Sequence, residues 1–350
     1  MSGVFFGWDI GGAHLKIAKL GGSGEILAVR QIACPLWRGV GELSRACALL
    51  DFPIDEPGAV HAITMTGELC DIFPDRVSGV RAIIAQLTRH VNNAASVRIF
   101  AGYEGWLDLQ QATGEKAIAV ASANWLALGA FTAELIGDGV LIDIGSTTTD
   151  IIPITNGEVR CLGRDDASRL SWEELVYTGI VRTPVISVCS SVPLRGRRQP
   201  LVAEVFATMS DVYRLLGNIS ERHDLMPTAD GRGKDLASSA QRLSRMLGLD
   251  LESEHDLAEI GGVASYIAAQ QRHRIENALD LVLSRDPGSG HNTTLVGAGA
   301  GAFVVEMIAR NRKVNFRAFD TLVGDDSSVA ESIVTAAPAV AAAKLAWMTV

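Results

Sequence analysis

Two stretches of this chain carry the same order of residues, and together they restrict its fold more than any other feature. Val4-Phe5-Phe6-Gly7-Trp8 runs into Asp9-Ile10-Gly11-Gly12-Ala13-His14-Leu15-Lys16, and Val140-Leu141-Ile142 runs into Asp143-Ile144-Gly145-Ser146-Thr147-Thr148-Thr149-Asp150. Each apolar run is too short to show helical periodicity and ends at a glycine-containing turn, after which a second β-branched run begins. This is the pattern of strand, tight turn, strand. Two copies about one domain length apart predict a sheet built twice. The chemistry of the second copy suits a phosphate chain with a divalent metal. Gly145 lets the backbone approach a ligand, Ser146, Thr147 and Thr148 add hydroxyl donors, and Asp143 at the strand end can hold a hydrated cation. Taken alone, that stretch reads equally well as a polar hairpin; the N-terminal copy favours the phosphate reading.

A third glycine-rich stretch, Thr294-Leu295-Val296-Gly297-Ala298-Gly299-Ala300-Gly301-Ala302-Phe303, leads into a helix late in the chain. One Asp-x-Gly or one Gly-x-Gly-x-Gly is weak, but the three in this order resemble the superfamily of actin, sugar kinases and acetate kinases. That resemblance implies an α/β fold of two ribonuclease-H-like domains, with mixed sheets flanked by helices and a cleft between them. Each Asp-Ile-Gly hairpin is then expected at the edge of a five-stranded sheet, with the turn at 297–301 contacting adenosine. Loop 1 lacks the hydroxyls of loop 2 but carries Lys16, at the offset from Asp9 where actin also has a lysine beside its phosphates. His14 reads as an exposed turn residue.

The rest of the chain fills in this plan. Its 350 residues, 48% of them hydrophobic, are enough for two domains. The expected bounds are 1–137 and 138–330, with 331–350 a helix packing back toward the domain interface. A net charge of −9 argues against a nucleic-acid partner. No charge-free window reaches membrane-spanning length and no leader pattern precedes the first strand, so the cytoplasm is the expected compartment. Cys34, Cys47, Cys70, Cys161 and Cys189 lack Cys-x-x-Cys spacing and read mostly as small buried hydrophobes.

Further elements are expected in chain order. A strand is predicted over 25–33 and a helix over 41–50, then a strand over 59–65 that delivers Glu68 to its C-terminal end. Glu68 is a candidate site residue there, or a helix-start carboxylate. Helices are predicted over 75–91 and, as one buried element, over 116–136, with a strand at 97–101 between them. In the second half a strand is predicted over 158–162 after a turn at Asn156-Gly157, another over 185–189 and a helix over 201–216. Residues 224–234 read as a mobile loop or lid. Helices over 236–247 and 255–283, a strand over 314–319 and a helix over 329–348 complete the chain. Arg195, Arg197 and Arg198 form a basic turn that could clamp a carboxylate or phosphate, although a solvated hairpin tip is the more common case.

The combination D-I-G-G-A-H-L-K, M-T-G-E-L, S-A-N-W, D-I-G-S-T-T-T-D, Y-T-G-I-V-R-T-P-V, D-V-Y-R-L-L-G and T-A-D-G-R resembles the hydantoinase/oxoprolinase-like proteins of tetrahydromethanopterin-linked one-carbon metabolism. Their archaeal relatives include a condensing enzyme of methanofuran biosynthesis. The resemblance implies a transferase that moves an aminomethylfuran-methyl group from its diphosphate to the phenol oxygen of a tyramine-type substrate. In that reading Asp9 and Asp143 hold Mg²⁺, while Gly11, Gly12, Lys16, Gly145, Ser146, Thr147 and Thr148 bind the diphosphate. Glu68 or Asp211 takes the phenolic proton, and the arginines at 195–198 meet the substrate's carboxylates. Gly297, Gly299 and Gly301 would serve a nucleotide or substrate. Two rivals stay open: an ATP-using kinase or amide-ring hydrolase, and a nucleotide-gated regulatory protein. ATP as a second cofactor and assembly into a homo-oligomer are likewise left open.

Overall fold

The structure is a computed structural model that describes residues 3–94, 96–251, 254–285, 293–324 and 330–349, with only the backbone of 254–256. Its strands are β1 (Phe5–Ile10), β2 (His14–Leu20), β3 (Ile26–Ala33), β4 (Val60–Met65), β5 (Ser96–Phe100), β6 (Trp106–Leu107), β7 (Gly139–Ile144), β8 (Thr149–Thr155), β9 (Glu158–Val159), β10 (Leu175–Val176), β11 (Ser191–Leu194), β12 (Arg197–Pro200), β13 (Thr294–Ala298) and β14 (Asn315–Ala318). The chain forms two compact units. Unit 1 holds 1–138, 154–160 and 319–350; unit 2 holds 139–153 and 161–318.

The two sheets repeat one plan. In unit 1 the order is β3-β2-β1-β4-β5-β6, with β1 antiparallel to β2 and parallel to β4. In the second sheet the order is β10-β8-β7-β13-β14, with β7 parallel to β13 and β13 parallel to β14. The α/β class and the repeated ribonuclease-H-like order are thus those read from the two Asp-Ile-Gly hairpins. Two details differ. Each sheet has six strands rather than five, because β6 folds back on β5 in the first and β9 pairs with β8 in the second, and β1 and β7 lie inside their sheets rather than at an edge.

Both faces of β1 are covered. Phe6, Trp8 and Ile10 point into a core shared with Val80, Ile83 and Leu87 of the helix Arg76–Leu87. Gly7 and Asp9 lie on the other face, because strand residues alternate. There the helix Ala337–Met348 packs on β1, β2 and β4 and on the helix Asn124–Ile136. The approach is close. A Cβ on Gly7 would stand 1.9 Å from the Ala339 carbonyl oxygen. The alanines of that helix allow this contact, since larger side chains would hold the backbones apart. The expected single helix over 329–348 breaks at Ala336, just before Pro338, whose missing N–H suits the first turn of a new helix. Val329 lies outside the described residues.

Within this core His61 is fully buried. Its Nδ1 accepts a hydrogen bond from the Trp8 indole N–H at 3.0 Å, and its ring stacks on Phe6. Nε2 is buried and has no hydrogen-bond partner among the described residues. Burial pushes its pKa down to about 4, with Asp55 opposing only in part. The unfolded chain therefore binds the proton first as pH falls, starting from the ordinary histidine value near 6.5. Stability from this site is complete above that value, is lost toward pH 4, and amounts to roughly 3 kcal/mol at one pKa unit per ~1.4 kcal/mol. Urea unfolding at pH 7 and pH 4.5 checks this. The wild type should lose that increment, whereas His61→Gln, which keeps an acceptor for Trp8, should lose much less. Equal pH dependence in both proteins would refute it. Cys34 and Cys47 are also buried, with thiols pushed up to about 12, in keeping with small hydrophobes, whereas Cys70, Cys161 and Cys189 are only half-buried, so the reading expected for most of the cysteines holds for two of the five.

Four further expectations are corrected. The helix over 116–136 is two helices, Ala117–Val120 and Asn124–Ile136, separated by Ser122 in the left-handed region at φ 51°. Val185–Val188 is a helical turn started by Pro184, not a strand. The helix over 201–216 begins only at Met209, where Thr208 and Asp211 cap it reciprocally. Residues 224–234 are tied down rather than arranged as a lid. Asp224 is buried against Arg214 at 2.6 Å and pairs with Lys234 at 3.6 Å, while Asp230 meets Arg242 at 3.1 Å. Among the described residues no helix is long and apolar enough to cross a membrane.

Candidate functional site

Loop 1 is built by a short closure. The Gly11 amide donates to the His14 carbonyl at 2.9 Å, returning the chain from β1 to β2 in three residues. The loop's outer carbonyls are used by the next segment, Ala13 accepting from the Cys34 amide and Gly12 from the Leu36 amide. Gly12 packs against Cys70, where a Cβ would lie 2.9 Å from Sγ. His14 is buried, not exposed.

Beside this loop β1 presents Asp9, which is 3% exposed. Register sets Lys16, Asp9 and Thr64 in one row across β2, β1 and β4. Lys16 Nζ stands 3.6 Å from Asp9 Oδ2, and the Asn124 side-chain amide donates to Asp9 Oδ1 at 3.3 Å. The Thr64 hydroxyl is buried with no hydrogen-bond partner among the described residues. Glu68 follows β4 in a short 3-10 turn and is 2% exposed, its backbone set against Gly79, where a Cβ would come within 2.8 Å. Its Oε1 accepts from both the amide and the hydroxyl of Ser122, at 2.9 and 3.0 Å. Unit 1 therefore brings together Asp9, Lys16, Gly11 and Gly12, and links Glu68 to Asp9 through residues 122–124.

Loop 2 closes in the same way, with the Gly145 amide donating to the Thr148 carbonyl at 2.9 Å. Its carbonyls are likewise held from outside: Gly145 accepts from the Ile180 amide, and Ser146 from the amides of Val181 and Arg182. Gly179 allows that segment in, since a Cβ there would lie 2.5 Å from the Thr147 nitrogen. Behind it Gln271 donates to the Thr178 hydroxyl and the Gly179 carbonyl, and Tyr213 donates to Gln271 at 2.6 Å. Burial raises the Tyr213 pKa, so its phenol stays a donor. Ser146 Oγ is buried with no hydrogen-bond partner among the described residues.

The glycines after β13 wrap the end of β7. Gly299, at φ 75°, passes so close that a Cβ would stand 2.3 Å from Asp143 Oδ1, and the Gly301 amide donates to the Ile144 carbonyl at 2.9 Å. Gly297 packs on the Phe316 ring, where a Cβ would come within 2.8 Å. Packing alone thus calls for glycine at 297, 299 and 301. Within unit 2, Asp143, residues 145–148 and the turn at 297–301 form one group.

The basic turn joins the two strands of a separate sheet, β11 and β12. Arg195 and Gly196, both with positive φ, make the two-residue turn of the β11–β12 hairpin. Arg195 is exposed and forms a bidentate pair with Glu259, while Arg197 and Arg198 are exposed on β12. This is the geometry of a solvated hairpin tip. Asp211 is also engaged, at 2.7 Å from Arg242 and 3.4 Å from Arg214, which makes it part of a buried ion-pair network rather than a ready proton acceptor. Sequence reasoning misses Ser122, Asn124 and Thr64 as site residues. The S-A-N-W stretch carries two of them, but its local pattern is that of a helix interior.

Residues 59–348 match the hydantoinase/oxoprolinase family. Over 254 residues, 72% of this chain and 74% of the relative, the sequence is 35% identical to the (4-{4-[2-(gamma-L-glutamylamino)ethyl]phenoxymethyl}furan-2-yl)methanamine synthase of Methanocaldococcus jannaschii. A synthase of the same name from Methanococcus vannielii is 36% identical over 112 residues, 32% of this chain and 50% of that one. Of solved structures, nucleotide-free acetone carboxylase is similar in fold, with a TM-score of 0.52 at 11% identity over 86% of this chain and 66% of that chain. With the match running from β4 to the helix Ala337–Met348, this chain belongs to the hydantoinase/oxoprolinase family.

Proposed function

We propose that this chain is a synthase of the same kind as its Methanocaldococcus jannaschii relative, making the phenoxymethyl ether between a γ-glutamylaminoethyl phenol and a furan-2-yl methanamine. The 35% identity over 72% of the chain carries this reading. The furan methyl group arrives as its diphosphate. The phenol oxygen forms a bond to the methyl carbon, the bond from that carbon to the diphosphate oxygen breaks, and its electron pair leaves with the diphosphate. The phenolic proton passes to a carboxylate, for which Glu68 is the candidate, since Asp211 is held by two arginines.

The residues around each loop suit a departing diphosphate. Lys16 offers a compact positive charge to a phosphate oxygen, and the 3.6 Å separation from Asp9 is longer than a hydrogen bond, so the two are not locked together. In unit 2 the hydroxyls of Ser146, Thr147 and Thr148 line the equivalent turn. Mg²⁺, when bound, would neutralise charge on the leaving group. Hard carboxylate oxygens fit it, and it needs few protein ligands. Within unit 1 Asp9, and within unit 2 Asp143 in space that only glycine at 299 leaves open, each offer a carboxylate that would suit it.

A second reading is an ATP-driven enzyme, favoured by the glycine turn at 297–301 that leads into the helix Ala302–Arg312. The two differ in where the broken bond comes from. Purified protein given Mg²⁺, the furfuryl diphosphate and the phenolic amine should release diphosphate and form the ether with no nucleotide added. Ether formation that required ATP, with ADP and phosphate as by-products, would replace this reading by the second.

A further inference from the structure

The break between the helices Ala117–Val120 and Asn124–Ile136 has an unusual cost. Ser122 holds φ 51° in a chain of L-residues, where a non-glycine residue in the left-handed region is strained. Such strain persists only where surrounding contacts impose it. Here the contacts go to both carboxylates of the candidate site in unit 1. Ser122 gives its amide and hydroxyl to one oxygen of Glu68, at 2.9 and 3.0 Å. Two residues on, Asn124 gives its side-chain amide to one oxygen of Asp9, at 3.3 Å, while Asn124 Oδ1 is fixed by the Trp125 amide at 2.8 Å. That second bond orients the Asn124 amide, so its NH₂ rather than its oxygen faces Asp9.

We propose that Ser122 and Asn124 are positioning residues that set the two carboxylates together. Asn124 fixes the rotation of Asp9 so that Oδ2 is the oxygen turned to Lys16. Ser122 fixes the rotation of Glu68 by holding Oε1 twice. The pair acts as one rigid unit because a single turn of backbone joins them. Partners of this kind typically alter activity or affinity by 10- to 100-fold when removed.

The proposal rests on the ether-forming reading only where kcat is measured, so two measurements are made. Inorganic diphosphate with Mg²⁺ is titrated calorimetrically into wild type and Asn124→Ala, and the variant should bind roughly tenfold more weakly. Ser122→Gly suits the left-handed backbone and keeps the amide donor but loses the hydroxyl. It should melt within a few degrees of wild type, yet show kcat lowered roughly tenfold with KM for the phenolic amine unchanged. A purely structural role would keep kcat wherever stability is kept. Wild type that binds diphosphate but forms no ether would end the ether-forming reading while leaving the affinity ratio to decide on Asn124. Asn124→Ala binding as tightly as wild type, wild type showing no diphosphate affinity, or Ser122→Gly at full kcat would each overturn the proposal.

Discussion

Gly7→Ala should lower the stability of the protein by at least ~3 kcal/mol, the upper end of ordinary overpacking. The added methyl would stand 1.9 Å from the Ala339 carbonyl oxygen and 2.6 Å from the Ala343 nitrogen, and both are backbone atoms that no rotamer change can move. The helix Ala337–Met348 would have to lift from β1. Six of its eight buried residues are alanine, so a small displacement forfeits contacts along its whole length. A melting temperature about 10 °C lower is expected, at 2–4 °C per kcal/mol for a unit of this size. Gly41→Ala is the control. It opens a helix where a Cβ meets nothing within 4 Å, so it should be neutral or slightly stabilising. A Gly7→Ala protein that melted with the wild type would refute the docking of that helix on β1.

Lys16→Ala should slow ether formation by something like 10²-fold in kcat/KM, the usual loss for one electrostatic donor to a developing anion. Its side chain is 19% exposed and its near partner is Asp9, so the fold should survive its removal. Lys16→Arg keeps the charge but spreads it over a fork, and should recover only part of the rate. Trimming Thr147 or Ser146 should cost less, because backbone amides remain when a hydroxyl is lost. Steady-state kinetics with unfolding curves for each variant checks the order. Lys16→Ala at wild-type kcat/KM would remove Lys16 from the chemistry.

What the amino-acid order makes legible is decided by the range of the interactions involved. The two Asp-Ile-Gly hairpins can be read because strand, turn and strand are encoded within about fifteen residues, and the same is true of the turns at Asn156-Gly157 and Arg195-Gly196. The break at Ser122 cannot. Locally, residues 116–136 favour helix, whereas bonds to Glu68 from another part of the chain hold the left-handed residue. Residues 224–234 mislead for the same reason. Their glycines and aspartates look mobile, but Arg214 and Arg242 come from elsewhere in the sequence to fix them. The glycines at 297–301 read as a ligand motif, while their close approach to Asp143 depends on the pairing of β13 with β7, which spacing does not reveal.

The discontinuity of unit 1 has a consequence for the order in which the chain is made. Its first 138 residues leave the ribosome early, but the helix that covers Gly7 lies at 337–348. At about 5–20 residues per second, the interval between them is on the order of ten seconds or more. Throughout that time the Gly7 face of the first sheet stays bare, while unit 2, complete once residue 318 has emerged, can already close. The unit that starts first therefore finishes last, and a nascent chain stalled before residue 337 would expose that face to chaperones and proteases.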